Sequence, residues 1–575
     1  MASKIVPAPE TVPLASVDLL ENAADAVARN NPSDPYNRQA QTFPILSDEQ
    51  MKRVRAYGSV ESAMTGDVLY RRGDTDIDLI VMLEGSAEVL ETLANGSTHA
   101  ISTIRQHQFS GELNMFNNRG SLVTVRITEP SQILRIPRAV FRKMLVGENE
   151  LSELITRAFI LRRSAFMSHE FAATVLIGAA HSSELLQIRQ FLQRNGIPVR
   201  TVYTDTDSET ASHLISSCAL AEPKYPIVIY DKNKVLSQPT NIELGKVLGF
   251  TEKIEADTLY DVVIVGAGPA GLSSAVYGAS EGLRTLVVDA YAPGGQAGSS
   301  SKIENYMGFP AGISGQALAA RAQIQSQKFG AKIVVPRRAV SLKSNSEKVT
   351  LTLDDQTVVS SRTLVIATGA HYRQLNVPNL EMYEGVGIHY AATAVEASLC
   401  SNEDVVVVGA GNSAGQAAMY LSERTTHVHL LIRGHSIEAT MSAYLVRRLQ
   451  VNKKITIYLQ TEITALGGEK YLETVTWKNR EGQESTHKIG NVFLMIGATP
   501  NTAWLRGCVA LDDKGFVICD QSGSPFNTTV PAVFAVGDVR SGSIKRVASA
   551  VGEGSVVISA VHAYISQQSR SEAAP

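Results

Sequence analysis

Cysteine is scarce in this chain: only four occur in 575 residues, at positions 218, 400, 508 and 519. They lie far apart and none forms a CxxC pair, which argues against a disulfide framework and against a zinc site; no metal site is expected. The four read as buried thiols in a reducing compartment. Charge imbalance is also lacking. Lys and Arg number 53 against 56 Asp and Glu, a formal net charge of −3, so nothing electrostatic points to nucleic acid or an anionic membrane. No apolar run approaches the roughly 20 residues of a membrane helix; segments such as 171–180 and 262–265 read as buried strands. The opening residues MASKIVPAPETVP lack a basic segment followed by an apolar one, so no signal peptide is expected and the cytoplasm is the default location.

What is present is a soluble-type composition, 44% hydrophobic and 19% charged, in a chain long enough for three or four domains. Residues 1–40, rich in Ala, Pro and Asn, read as a flexible arm. From 41 to 170 the pattern changes. Ser47 with Gln50 three positions on is a capping-box pattern. Short apolar runs punctuated by Gly66, Gly73, Gly85 and Gly96 predict a small all-β roll, and 139–167 has helical spacing. Residues 171–250 read β-α-β followed by β-β-α, with Gly196 ending the first helix.

The strongest signals follow. DVVIVGAGPAGLSSAVYGASEGLRTLVVDA (261–290) is a buried strand, a glycine loop, a helix and a second strand ending in an acid. Gly266 makes the tight turn, and Gly268 lets backbone N–H groups approach a pyrophosphate. Gly271 permits close packing, and the helix opened by Pro269 and Ala270 favours the negative charge. Asp289, 23 residues after Gly266, is placed for a ribose diol. A second copy starts 143 residues later with Gly409, Gly411, Asn412, Ser413 and Ala414, and Arg433 stands where the first has its acid. A basic residue there suits the 2′-phosphate of NADP. One acidic and one basic copy predict separate FAD and NAD(P)H sites.

Three resemblances rest on these residues. The roll, through GDVLYRRGD (66–74), LEG (83–85) and SGEL (110–113), resembles the cyclic-nucleotide-binding domain. That likeness implies Gly111 and Glu112 as contacts for a cyclic nucleotide. The family's phosphate-clamping Arg aligns with Ser121, and Arg119 and Arg126 lie out of register, so a roll used for packing or for sensing something else stays open. The order of elements in 171–250 resembles the thioredoxin fold, with Tyr225-Pro226 at the family's cis-proline. No cysteine lies near 179–184, where the redox motif belongs; this implies a docking or structural module.

Residues 260–565 resemble the low-molecular-weight thioredoxin reductases. The likeness implies FAD contacts from Gly295, Gln296 and Asn305, from Thr368 and Gly369 at the turn between nucleotide domains, and from Gly537, Asp538, Lys545, Arg546 and Val547. It also implies a homodimer. The expected parts are an FAD domain in two pieces (258–372 and 501–568) around an NAD(P)H-binding-like domain (373–500). The fold class is thus multidomain: an all-β roll, a thioredoxin-like α/β module and two Rossmann-like three-layer α/β domains.

Two departures stand out. The family's redox cysteines align with Ala391 and Ala394, so no thiolate chemistry is available there and no catalytic residue is assigned. Of the family's basic cluster for NADPH, Arg433 alone remains, with Gly434 and Glu438 at the other positions; NADPH or NADH could serve. The leading expectation is an FAD-dependent oxidoreductase without its own dithiol, exchanging electrons with NAD(P)H or a ferredoxin- or thioredoxin-like partner. A flavin-binding regulatory protein, or a thioredoxin-disulfide reductase recruiting Cys400, are the alternatives.

Overall fold

The computed structural model describes residues 38–573, apart from 93–95, 118, 170–173, 181, 219–223, 231–233, 256, 301–302, 304, 346, 384–386, 391, 393, 470 and 520–523. Most of the expected arm therefore lies outside the described residues.

After the short helix Gln39–Thr42 comes the helix Asp48–Arg55. Ser47 accepts from Gln50 N while the Gln50 side chain accepts from Ser47 N, a complete capping box. The roll follows as two sheets. One runs Ser59–Ala63, Ser131–Ile136, Leu79–Glu84; the other Val68–Tyr70, Thr124–Ile127, Ala87–Thr92, Thr98–Ile104. After the helix Arg138–Gly147 comes α1 (Asn149–Ser168), which drives Phe159 against Phe109, Phe116 and Phe141 at centroid distances of 6.1–6.2 Å.

The next module has a four-stranded sheet in the order Lys234–Ser237, Ile227–Tyr230, Thr174–Gly178, Val199–Tyr203. Its first helix, α2 (Ser183–Arg194), is capped by the Ser182 hydroxyl on Leu185 N. Apolar residues at helical spacing (Leu185, Ile188, Phe191, Leu192) put one face of α2 in the core. That core is shared: Phe191 meets Tyr291 of the next domain at 5.3 Å and Phe250 at 5.7 Å. The Tyr225-Pro226 peptide is cis.

The first nucleotide domain is a seven-stranded sheet. Lys332–Val334, Thr285–Val288, Leu259–Val265 and Val358–Ile366 are parallel neighbours, Val349–Leu353 and Ala339–Ser344 extend them antiparallel, and Val533–Ala535 pairs with Val358–Ile366. Helices α3 (Pro269–Ser280) and α4 (Gly315–Lys328) pack on it. The second domain has a parallel five-stranded sheet, ordered Ile388–His389, Asn491–Leu494, Asp404–Val408, His427–Ile432, Ile455–Leu459. Around it lie α5 (Ala394–Leu399), α6 (Asn412–Ser422) and a three-stranded antiparallel sheet. The chain crosses between the two domains twice, and the crossings pair as one antiparallel ribbon, Ala370–Tyr372 with Ala498–Pro500.

The last helix, α7 (Val547–Ala573), corrects the reading that no apolar run nears membrane length. Val547–Gln568 is long and apolar enough by length and composition. Its fully buried Val557, Ile558 and Val561 belong to the core cluster shared with α3. Spaced Val, Ile and Ala residues raise the hydropathy of Val547–Gln568, where Glu553 is the one carboxylate, without a continuous run of large apolar side chains.

Candidate functional site

The first glycine loop sits between the strand Leu259–Val265 and α3. Gly266 has φ +109, and a Cβ there would lie 2.3 Å from Ala367 O; one on Gly271 would lie 1.8 Å from Gly266 O. Both contacts demand glycine. α3 starts with Gly268 as N-cap and Pro269 at its first turn, with no side-chain cap. Its leading N–H groups, with the positive end of the helix dipole, are thus left for an anion. Asp289 is half-buried, and desolvation pushes its carboxyl above the usual range despite the opposing backbone hydrogen bonds and Arg194. Its oxygens accept from Ala267 N and Tyr291 N, each at 2.8 Å, and from Ala292 N at 3.1 Å. The expected ribose ligand thus also ties its own loop together.

Other predicted residues converge on this loop. A Cβ on Gly295 would stand 2.9 Å from Gly268 Cα, and one on Gly537 would stand 2.9 Å from Ala270 Cβ. The Gln296 amide donates to Ala370 O, beside Thr368 and Gly369. That turn is held by Asn501, whose Nδ2 donates to Thr368 O at 2.9 Å while its carbonyl accepts from Thr368 Oγ1 at 3.0 Å. Burial raises the Asp538 carboxyl, offset by the Lys545 charge; Lys545 Nζ donates to Asp538 O at 3.2 Å. Arg546 accepts Ala550 N through its carbonyl at the start of α7, whose first residue is Val547. Glu553, missed in the sequence, accepts Gly537 N at 2.6 Å and pairs with Arg540 at 2.6 Å. Asn305 is exposed on a turn, in no described contact with the loop. Glycine cradle, uncapped helix and convergent backbone fit a dinucleotide such as FAD.

The second loop repeats the device. Gly409 has φ +144 and a Cβ there would lie 2.3 Å from Met495 O. Gly411 caps α6 without a side chain, Ala414 is buried, and Ser413 follows Asn412, whose Oδ1 accepts Ser442 N at 2.7 Å. Arg433 is exposed; Glu438, also exposed, accepts from the Ser436 hydroxyl at 2.5 Å. These residues could hold a second dinucleotide.

Ala391 lies outside the described residues, and Ala394 begins α5. Cys400, six residues on, is fully buried, and burial pushes its thiol up to about 12.

In the roll, Gly111 has φ +109 and Glu112 is 2% exposed. Glu112 accepts from Leu122 N at 2.8 Å and pairs with Arg163 at 2.9 Å. Arg162 lies among Phe43, Phe109 and Phe159 and donates to Gly111 O at 3.0 Å. Both arginines come from α1 and were missed; the RR pair inside an apolar run was the available signal. The cavity beside them is about 40 Å³, well below the roughly 300 Å³ where ligand pockets begin. Arg119 is buried and donates to Asn195 O at 2.8 Å; Arg126 pairs with Glu88 on the surface.

Comparison with known proteins agrees with this geometry. The family profile described as pyridine nucleotide-disulphide oxidoreductase matches residues 260–554, and the cyclic nucleotide-binding domain profile matches 60–147. The F component of the alkyl hydroperoxide reductase of Staphylococcus aureus is 32% identical over 296 residues, 51% of this chain and 57% of the relative. NADPH-dependent thioredoxin reductase 3 of Arabidopsis thaliana is 32% identical over 317 residues, 54% of this chain and 59% of the relative. The chain thus spans somewhat more than half the length of these curated relatives. Among solved structures, Lactococcus lactis thioredoxin reductase (FR conformation) aligns with a TM-score of 0.51 at 27% identity, covering 54% of this chain and 99% of that one.

Proposed function

Because the chain belongs to the pyridine nucleotide-disulphide oxidoreductase family, we propose that it is a thioredoxin reductase-like FAD-dependent oxidoreductase that works without an internal dithiol. It moves electrons between NAD(P)H or a protein donor and an acceptor of its own. The observation that carries this is the pairing of two glycine cradles with alanine at 391 and 394 and a buried thiol at 400.

FAD, when bound, supplies acceptance and release of electrons. The chain's own residues do the rest. The α3 N-terminus and loop 266–271 bind the pyrophosphate, and Asp289 holds the loop that carries the ribose. Lys545 and the start of α7 lie beside Asp538 and favour negative charge on a reduced flavin. The second cradle takes the nicotinamide dinucleotide, with Arg433 free to meet a 2′-phosphate. Relatives named for thioredoxin reduction make a thioredoxin-like protein the first partner to try; a ferredoxin-like donor and a homodimer belong to the same reading. The module at 171–250 is read as thioredoxin-like and given to docking.

Anaerobic titration with NADPH, NADH and reduced ferredoxin tests this reading. Bleaching of a yellow flavin spectrum by at least one donor is expected; a flavin that none reduces would overturn the enzyme reading. A second reading, a flavin-loaded regulator, is favoured by the roll's direct contacts to the α/β module. Calorimetry with cyclic AMP and cyclic GMP tests its sensing arm, and no heat from either would leave the roll a packing module.

A further inference from the structure

Four consecutive residues at the C-terminal end of α2 each reach a partner outside the α/β module. Gln193 O accepts from Gln316 Nε2 at 3.1 Å. Arg194 donates to Gly295 O at 2.5 Å, and its guanidinium lies 5.2 Å from the centre of the Tyr291 ring. Asn195 donates from Nδ2 to Tyr291 O at 3.2 Å, and its carbonyl accepts from Arg119. Gly196 O accepts from Arg163 at 2.9 Å. The last carbonyls of a helix lack intrahelical partners and carry partial negative charge, so two guanidinium groups from the roll are suited to hold them. The roll thereby anchors the end of α2 while Arg194 presses on the loop 289–296.

The bond to Gly295 O has a directional consequence. In a trans peptide the carbonyl of one residue and the N–H of the next point opposite ways. Pinning Gly295 O to Arg194 therefore turns Gln296 N–H away from the α/β module, and among the described residues that N–H has no acceptor. Gly295 has φ +52 and Gln296 has φ −68 and ψ −34. Successive N–H groups in such turn conformations form anion-binding concavities. The turn also abuts the glycine cradle, with the Gly295 Cβ direction meeting Gly268 Cα at 2.9 Å.

We propose that Arg194 is a positioning residue for FAD: a side chain of the front α/β module fixes the 294–296 turn against the cradle and so completes the cofactor site from outside the nucleotide domains. The inference rests on the FAD reading above.

The test uses full-length protein stripped of flavin, titrated with FAD by fluorescence quenching, with the melting temperature of the stripped protein recorded alongside. Wild type binds FAD. R194A is expected to raise the Kd about tenfold or more, as loss of a charge-assisted hydrogen bond implies, with the flavin-free melting temperature little changed. R194K, which keeps the charge, should recover part of the affinity. Should R194A not fold, R194Q, which keeps the stem over Tyr291, carries the same expectation. A Kd within about twofold of wild type, or a fall in flavin-free stability that accounts for the whole loss, overturns the proposal. Wild type that takes up no FAD overturns the FAD reading itself, a distinct failure.

Discussion

At Gly266 the backbone stands at φ +109 and the missing Cβ leaves room for Ala367 O at 2.3 Å. An alanine there meets both a left-handed backbone cost of about 1–2 kcal/mol and a carbonyl it cannot displace. G266A should therefore lose bound flavin, read as flavin absorbance per protein after gel filtration, with a melting temperature below wild type. Cys400 makes a different prediction. Its thiol, ordinarily near 9, is raised to about 12 by burial. The folded state then resists ionisation, so this residue's stabilising effect is fully present below about pH 9 and is lost as pH rises towards 12. C400A should flatten that alkaline decline in a denaturation series. In native protein at pH 8, Cys400 should be the last of the four thiols to react with a disulfide reagent.

Helix ends show how far local chemistry can be read. The Ser47–Gln50 box was visible as a spacing and forms with Oγ accepting at 3.2 Å; S47A should cost about 1 kcal/mol in denaturant unfolding. The two glycine loops were equally visible, because a positive φ and a close carbonyl admit one residue type. The sheet orders were not. Nothing local tells Ser59–Ala63 to pair with Ser131–Ile136, some 70 residues on, since that choice is made by the shared core. Arg162 and Arg163 were passed over for a related reason: inside an apolar helix a cation gains its meaning from Gly111, Glu112 and Gly196, which sequence spacing does not bring near it. Asn305 was assigned by likeness alone, and the structure leaves it exposed.

Across the whole molecule, the roll reaches the α/β module through Arg163, which donates to Gly196 O and is itself held inside the roll by a buried pair with Glu112, at 12% and 3% side-chain exposure. Removing one partner strands the other's charge, and such losses run to about 3–5 kcal/mol. E112Q should lower the melting temperature, and E112Q/R163M should recover part of it. The nucleotide domains themselves are joined by the Ala370–Tyr372 and Ala498–Pro500 ribbon, two strands that act as one connection. Two bodies on a single ribbon keep a torsional degree of freedom. The front module touches both: Arg194 reaches Gly295 in the first, and Gln190 donates to Glu396 of α5 in the second. A second tether beside the ribbon restrains that freedom, so a swing of one domain against the other has to release Gln190 from Glu396 or Arg194 from Gly295. The module in front thus acts as a brake on the joint behind it, and Q190A should let the joint turn, read as a change in distance between spin labels placed on the two domains.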